Sequence, residues 1–274
     1  MKVEIIASEI SDNFFYLVAD EQGVAALIDP IDANSAIALV KEAGYRLKYV
    51  VNTHFHPDHI GGNGAVLEAF PSALLVAASG DIEYIDMQMT HAGVRCVEQG
   101  LAGGDVLTIG TLVLEVLATP GHTAGHISLL HAQHLFSGDT IFVGGAGHCR
   151  MGGDAGVLFR TFRDILRPLP GATRFYPGHD YAVRNAEFVL SIEAEQDEAR
   201  RVLEEALAAR EQRRPMLTDI GRERLYNPFL RFDDPVLLRS LRARHGDLLE
   251  SARAVSASDD EAVFRCVREL RNNW

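Results

Sequence analysis

Short apolar runs separated by turn residues fill the first third of the chain, which is the pattern of a sheet. Apolar and β-branched residues predict strands at Phe14–Ala19 and at 24–29, joined by a hairpin at Asp-Glu-Gln-Gly. An Ala-rich segment over 33–43, followed by Gly44, predicts a helix that ends at a glycine. A strand over 47–52 leads into a histidine-rich loop, so the first third is predicted as strands with one helix among them.

The same pattern continues to residue 176 and then changes. Helical spacing of apolar residues predicts a helix over 157–169, and further strands are predicted at 106–109, 111–118, 127–131, 135–136 and 174–176. Residues 184–212 contain neither Gly nor Pro and predict a single long helix, with more helix at 234–244 and 259–271. The chain is therefore predicted as an α+β domain over 1–180 and a smaller helical domain over 181–274.

Composition and charge narrow the class of protein. A hydrophobic fraction of 47% in 274 residues is enough for a large core, and the net charge of −12 argues against a nucleic-acid partner. We find no apolar run of the roughly 20 residues that a membrane span needs, and no secretory signal at the start. Three cysteines without paired spacing suit a reducing compartment, so we expect a soluble, cytoplasmic protein.

The loop after residue 52 reads THFHPDHIGG and concentrates polar side chains. His54 and His56, two residues apart, can face one ion from an extended loop. Asp58 and His59 fall on the turn beyond, where they can reach a second ion. The two glycines that follow permit backbone angles that other residues resist. A chance surface cluster is the weaker interpretation, because three histidines and an aspartate share six positions.

Three more polar residues lie at predicted strand ends, where loops on a rigid sheet tend to build sites. His126 begins a strand after TPGHTAG, Asp139 follows the strand at 135–136, and His179 follows the strand at 174–176. His122 lies in the same TPGHTAGH segment as His126. We predict a supporting role for it, such as a hydrogen bond to a neighbouring group.

These segments resemble a known fold. THFHPDHIGG resembles the THxHxDHxGG signature of the metallo-β-lactamase fold, and TPGHTAGH, SGDT and PGHDY resemble its later metal-binding segments in order. RNAEFVLSIE, RLYNPFLR and VFRCVRELRNNW are similar to the C-terminal helical domain of the glyoxalase II (hydroxyacylglutathione hydrolase) family. The resemblance covers residues 1–274. It implies an αββα sandwich as the catalytic domain, followed by a smaller helical domain that binds substrate.

The resemblance also implies two divalent metal ions and their ligands. Asp139 would bridge the ions; His54, His56 and His126 would bind the first, and Asp58, His59 and His179 the second. Asp58 would also act in catalysis by accepting a proton. We expect zinc first because the ligands are rich in histidine, and mixed His and carboxylate donors leave iron or manganese open.

For the substrate, the resemblance implies contacts to glutathione. Arg268 and Arg271 fall where the family has the cations that hold the glutathione carboxylate, and Tyr181 matches a tyrosine that contacts the same ligand. The loop GAGHCRMGGD departs from the family, which has GCGK or GCGR followed by an aromatic residue and a tyrosine. His148 and Arg150 stand in that loop here, and we count both as substrate-binding candidates.

The implied activity is hydrolysis of S-lactoylglutathione to glutathione and D-lactate. A thiolate leaves readily because the thiol pKa is about 8.5, so the reaction needs no general acid from the protein. Two alternatives stay open. The same site would act on a different thioester or on a lactone, or the domain would be a non-catalytic sensor of a metal or ligand. A persulfide dioxygenase, an exported β-lactamase and a nuclease fit the chain less well.

Overall fold

The computed structural model describes residues 1–91, 93–94, 96–212 and 214–274, and the chain divides into two compact units. The first unit comprises Met1–Thr119, Thr123–Gly138 and Tyr176–His179. The second comprises Pro120–His122, Asp139–Phe175 and Asp180–Trp274.

The first unit contains a six-stranded sheet in which the strands follow chain order. The strands are β1 (Lys2–Ala7), β2 (Phe14–Ala19), β3 (Val24–Ile28), β4 (Arg46–Asn52), β5 (Leu74–Ala78) and β6 (Gln99–Leu101). β1, β2 and β3 pair antiparallel, and β3 to β6 pair parallel. The loops after β3, β4 and β5 therefore leave the sheet at the same edge, side by side.

Helices cover one face of this sheet. They are α1 (Ala33–Glu42), α2 (Pro57–Ile60), α3 (Asn63–Ala69) and α4 (Ile82–His91). Val40, Val66 and Ile85 from the helices share a buried cluster with Leu17 and Val50 from the strands. The prediction of a single helix in the first third is wrong in this respect. α2 and α3 are too short, at four and seven residues, to display a helical repeat of apolar positions.

A second sheet lies on the other face. In this unit its order is β13-β10-β9-β8-β7, from β7 (Val106–Ile109), β8 (Leu112–Ala118), β9 (Ile127–His131), β10 (His134–Gly138) and the last two residues of β13 (Arg174–Pro177). The Tyr16 ring of β2 meets the rings of Phe136 and Tyr176 edge-on, each at 5.6 Å between centroids. The two sheets thus share a core, and the predicted strands at 106–109 and 127–131 are confirmed.

The second unit is mostly helical. Its elements are β11 (Ile141–Phe142), β12 (Gly145–Ala146), β14 (Thr218–Asp219), α5 (Ala155–Thr161), α6 (Ala182–Ile192), α7 (Asp197–Glu211), α8 (Ile220–Tyr226), α9 (Pro235–Arg253) and α10 (Asp259–Asn272). The start of β13 pairs with β14. The rings of Phe159, Phe162, Phe229 and Phe264 pack together in its core. No helix in the described part of the chain is long and apolar enough to cross a membrane.

The single long helix predicted over 184–212 is wrong. α6 ends at Ile192, and Glu193 leaves the helical region at φ −128° and ψ 83°. The Glu193 carboxylate accepts two hydrogen bonds from Arg231, at 2.6 and 3.1 Å, and both side chains are only 7% exposed. α7 then begins at Asp197, capped by Gln196. Helix propensity cannot reveal this break, because the partner of Glu193 lies 38 residues away.

Candidate metal centre

Four imidazoles lie buried together in the first unit. The ring centroid of His54 is 4.6 Å from that of His56, 4.1 Å from that of His59 and 4.9 Å from that of His126. None of the four residues is more than 4% exposed. Packing this many polar rings without apolar filler is costly unless they share a ligand, and imidazole nitrogen is a preferred donor for divalent transition metals.

Glycines let the backbone approach this cluster closely. A Cβ on Gly62, which follows α2, would lie 1.9 Å from the carbonyl oxygen of Pro30. Gly138 has a φ of +47°, and a Cβ there would lie 2.5 Å from Thr53 Oγ1 and 2.8 Å from His126 Nε2. Side chains at either position would displace the loops that carry the histidines.

Asp58 and His179, predicted for the second ion, lie together. Asp58 Oδ2 is 3.2 Å from His179 Nε2, and donor atoms of Asp58, His59 and His179 all lie within 4.8 Å of one another. Asn13 Nδ2 donates to Asp58 Oδ2 at 3.2 Å, and Asp12 Oδ1 lies 3.1 Å from His179 Nδ1. The hydrogen bond from His179 lowers the pKa of Asp12.

Asp29 orients His59. The sequence pattern predicted His59 as a ligand but did not identify Asp29. Asp29 follows β3 with a φ of +54°, and its Oδ2 lies 3.0 Å from His59 Nδ1. The same carboxylate accepts the backbone N–H of Thr53 at 2.8 Å and its hydroxyl at 2.6 Å. A carboxylate on Nδ1 leaves Nε2 of the imidazole to bind an ion. The only signal in the sequence is an Asp-Pro pair at a strand end.

Asp81, which follows β5, was likewise not identified from the sequence. It accepts hydrogen bonds from Phe55 N–H at 3.1 Å, from the Thr123 hydroxyl at 2.8 Å and from Gly125 N–H at 3.0 Å. Burial raises the pKa of this carboxyl. Asp81 therefore joins the loop of His54 and His56 to the loop that precedes His126.

The second unit contains Asp139 and His122. His122 Nε2 lies 3.5 Å from Asp139 Oδ2, and His122 Nδ1 donates to the backbone carbonyl of His148 at 2.6 Å. His122 is fully buried and Asp139 is 6% exposed. A backbone carbonyl on one ring nitrogen is the arrangement that orients metal-binding histidines. In the first unit, His126 Nδ1 lies 3.0 Å from the Thr119 hydroxyl instead.

The predicted substrate-binding residues are in the second unit and are not equally accessible. Arg268 is 5% exposed, and its Nη1 donates to the carbonyls of Ala146 and Gly147 at 2.7 and 3.1 Å. Arg271 donates twice to Asn185 Oδ1, at 3.1 Å each. Burial lowers the pKa of both guanidinium groups to about 10, so both stay charged at neutral pH.

The remaining predicted substrate-binding residues also lie in the second unit. Tyr181 packs edge-on against the Phe142 ring at 5.1 Å, and Arg150 Nη2 donates to the Asn272 carbonyl at 3.1 Å. The His148 ring meets the His122 ring at 5.0 Å. Burial raises the pKa of the neighbouring Cys149 thiol to about 11, which keeps it protonated at neutral pH.

Comparison with known proteins agrees with this geometry. Residues 12–179 match the metallo-β-lactamase superfamily, and residues 180–274 match the hydroxyacylglutathione hydrolase C-terminus. Over 96% of its length the chain is 37% identical to a hydroxyacylglutathione hydrolase of Nitrosococcus oceani, and 38% identical to one of Polaromonas sp.; it covers 95% of each. The crystal structure of ETHE1 from Myxococcus xanthus is similar with a TM-score of 0.63 and 29% identity, over 83% of this chain and 84% of that one.

The fold and the buried donors thus define a hydrolase of the metallo-β-lactamase superfamily. Within it, the chain belongs to the hydroxyacylglutathione hydrolase family. The predicted α+β fold with a C-terminal helical domain is confirmed, and so is the predicted class of enzyme. The histidine and aspartate groups fit divalent ions and indicate a binuclear metal site.

Proposed function

We propose that the protein is a binuclear metal hydrolase that cleaves S-lactoylglutathione to glutathione and D-lactate. The observation that carries this proposal is the buried cluster of His54, His56, His59 and His126, with Asp58 and His179 beside it. The two relatives named hydroxyacylglutathione hydrolase support the choice of a glutathione thioester. We assign catalysis to the domain over 1–180, whose loop with His148 and Arg150 also contacts the substrate, and the other substrate contacts to the helical domain over 181–274.

The proposed ligands follow from the residues and from the family. Asp58, His59 and His179 would bind one ion, His54 and His56 would bind the other, and Asp139 would be shared by both. For the third imidazole of the His54 ion there are two candidates. His126 is favoured by its stacking on His54. His122 is favoured by its backbone hydrogen bond and by its approach to Asp139. Zinc is the first choice of metal, with iron or manganese as alternatives.

The chain's own residues have distinct tasks in this reaction. Two bound divalent ions would lower the pKa of a water and polarise the thioester carbonyl. Asp58, held by Asn13 and 44% exposed at its side chain, accepts the proton of the attacking water. Asp29 keeps His59 oriented. The departing thiolate needs no proton from the protein, because the pKa of a thiol is about 8.5.

Recognition of glutathione is assigned to the second unit. Arg271 is a candidate for the glycine carboxylate, since it is charged and its guanidinium carbon lies 5.8 and 5.7 Å from the ring centroids of Phe188 and Trp274. Tyr181, His148 and Arg150 complete the set that the family resemblance implies. Arg268 belongs to the same set by position, and its buried contacts give it a further task.

A second substrate class is supported by the loop GAGHCRMGGD. It lacks the tyrosine that the family uses for glutathione, and its cation, Arg150, already donates to the Asn272 carbonyl. A different thioester, or a lactone, would use the same metal chemistry. A non-catalytic sensor is the remaining alternative.

Steady-state hydrolysis by the metal-loaded protein tests these proposals. S-D-lactoylglutathione and an acyl-CoA thioester are compared, with an Asp58→Asn variant as the control for dependence on the site. A much higher kcat/KM for lactoylglutathione supports the glutathione thioester. A higher kcat/KM for the acyl-CoA thioester would show that the protein keeps the fold of the family and acts on a different substrate. Full metal content without turnover of either substrate would favour the sensor.

A further inference from the structure

Arg268, on α10, is the most buried of the predicted substrate-binding arginines. Its described contacts are the carbonyls of Ala146 and Gly147 and the face of the Phe229 ring, 5.2 Å from the guanidinium carbon. Its Nε is buried and has no hydrogen-bond partner among the described residues. At 5% exposure, the guanidinium has little surface to offer a carboxylate in solution.

The two carbonyls belong to a loop that reaches candidate metal ligands. Gly147 N–H donates to the carbonyl of Thr140 at 3.2 Å, and a Cβ on Gly147 would lie 2.0 Å from the carbonyl oxygen of Asp139. The next residue, His148, offers the carbonyl that accepts the hydrogen bond of His122 Nδ1. The peptide that Arg268 holds is therefore adjacent to the peptide that orients His122 and lies against the backbone of Asp139.

We propose that Arg268 is a positioning residue, which fixes the loop 145–148 and through it the imidazole of His122 and the backbone of Asp139. Ala146 and Gly147 are buried, so their carbonyl oxygens depend on protein donors. Without Arg268 both carbonyls lose this donor and the loop relaxes toward water. The role in turnover rests on the proposed function, while the role in metal binding does not.

A carboxylate clamp and a positioning residue predict different kinetics. Loss of a clamp on the glycine carboxylate raises KM for lactoylglutathione and leaves KM for the glycine ethyl ester of that substrate unaffected, because the ester lacks this carboxylate. Loss of a positioning residue lowers kcat for the acid and the ester by the same factor. It also weakens metal binding, since removing a residue that orients a metal ligand costs about 10–100-fold in affinity or activity.

The test compares Arg268→Gln, Arg268→Lys and a matched control, Arg265→Gln. Arg265 lies on the same helix, and its Nε donates to Glu261 at 2.8 Å. Zinc affinity is measured by competition with a chromophoric chelator, and thermal unfolding of the metal-free proteins reports on folding. We expect about 10–100-fold weaker zinc binding for Arg268→Gln, an intermediate loss for Arg268→Lys and none for Arg265→Gln.

Wild-type zinc affinity in Arg268→Gln, with a KM increase confined to the free-acid substrate, would overturn the inference in favour of a clamp. Should Arg268→Gln fail to fold, Arg268→Lys decides by the same criterion, because it keeps a donor for one of the two carbonyls. If the wild type does not hydrolyse lactoylglutathione, the proposed function fails while the zinc measurement still tests Arg268.

Discussion

The two units build their polar sites in different ways. In the first unit, His54 to His59 come from one loop of six residues, and Asp29 and Asp81 follow strands adjacent to it in the sheet. In the second unit, Arg268 contacts carbonyls that lie 121 and 122 residues earlier in the chain. The polar residues of this loop in the first unit are close together in the sequence. The contacts of Arg268 in the second unit form only when the helices have packed.

In the second unit, several buried polar side chains therefore hold one loop in place by hydrogen bonds. Glu223 accepts the N–H of Gly144 at 2.9 Å, and Asn227 donates to the carbonyl of Gly145 at 3.2 Å. Arg268 satisfies the next two carbonyls. Buried polar groups are costly without partners, so a network of this kind specifies a single loop conformation when it is complete. The loop that supports His122 and Asp139 is thus held by residues far from it in the sequence, whereas the candidate ligands His54 to His59 occupy nearly consecutive positions.

The largest effect we expect comes from removing the third imidazole of the His54 ion, for which His122 and His126 are the two candidates. Loss of a metal ligand should lower zinc affinity by more than about a hundredfold, and loss of a residue that only orients a ligand by about 10–100-fold. His122→Ala and His126→Ala are compared for metal content by elemental analysis and for zinc affinity by chelator competition. Because His122 approaches Asp139 and has its Nδ1 fixed by a carbonyl, we expect the larger loss in His122→Ala.

His131→Ala is the control, since His131 Nδ1 bonds the carbonyl of Val113 and lies outside the cluster. A larger loss in His126→Ala would return the ligand role to the residue that the sequence pattern favours. Equal losses would contradict the distinction between the two histidines.

The sequence could predict the features that are formed by residues close together in the chain, and it could not predict those that depend on distant contacts. Strand ends and the THFHPDHIGG loop place most candidate ligands, because the spacing and the residue types lie in consecutive positions. Asp29 could not be found this way, since its value depends on β3 being the parallel neighbour of β4. The break between α6 and α7 depends on the pair of Glu193 with Arg231. Arg268 was predicted from position alone, and no local pattern discloses its two carbonyls.

Replacing Glu223 tests the buried network of polar side chains that holds this loop of the second unit. Burial raises the pKa of its carboxyl from 4.5 to about 7. A carboxyl whose pKa is raised by folding stabilises the protein below the unfolded pKa, and this stability is lost as pH rises from about 4.5 to about 7. That interval corresponds to about 3 kcal/mol. In Glu223→Gln this loss should disappear, so the free energy of unfolding of the variant relative to wild type rises across the window.

Urea unfolding of the metal-free proteins at several pH values measures the slope, and the constant offset from the altered hydrogen bonds drops out. Glu205→Gln is the control. Glu205 is half-exposed and paired with Arg222, which lowers its pKa, so its contribution has the opposite sign and is small. Parallel pH profiles for wild type and Glu223→Gln would refute the prediction.

The smallest effect returns to the first unit and asks whether its local site also depends on a neighbouring strand. Asp29→Asn keeps the shape of the side chain and replaces the charged partner of His59 Nδ1, so we expect zinc affinity to fall by about 10–100-fold. Asp20→Asn is the matched control: Asp20 also accepts backbone N–H groups, from Val24 and Thr111, in a hairpin without histidines. Both variants should lower the melting temperature, and only Asp29→Asn should weaken the metal. Equal zinc affinity in the two variants would mean that the loop alone orients His59, which would make the first unit's site still more local than its contacts indicate.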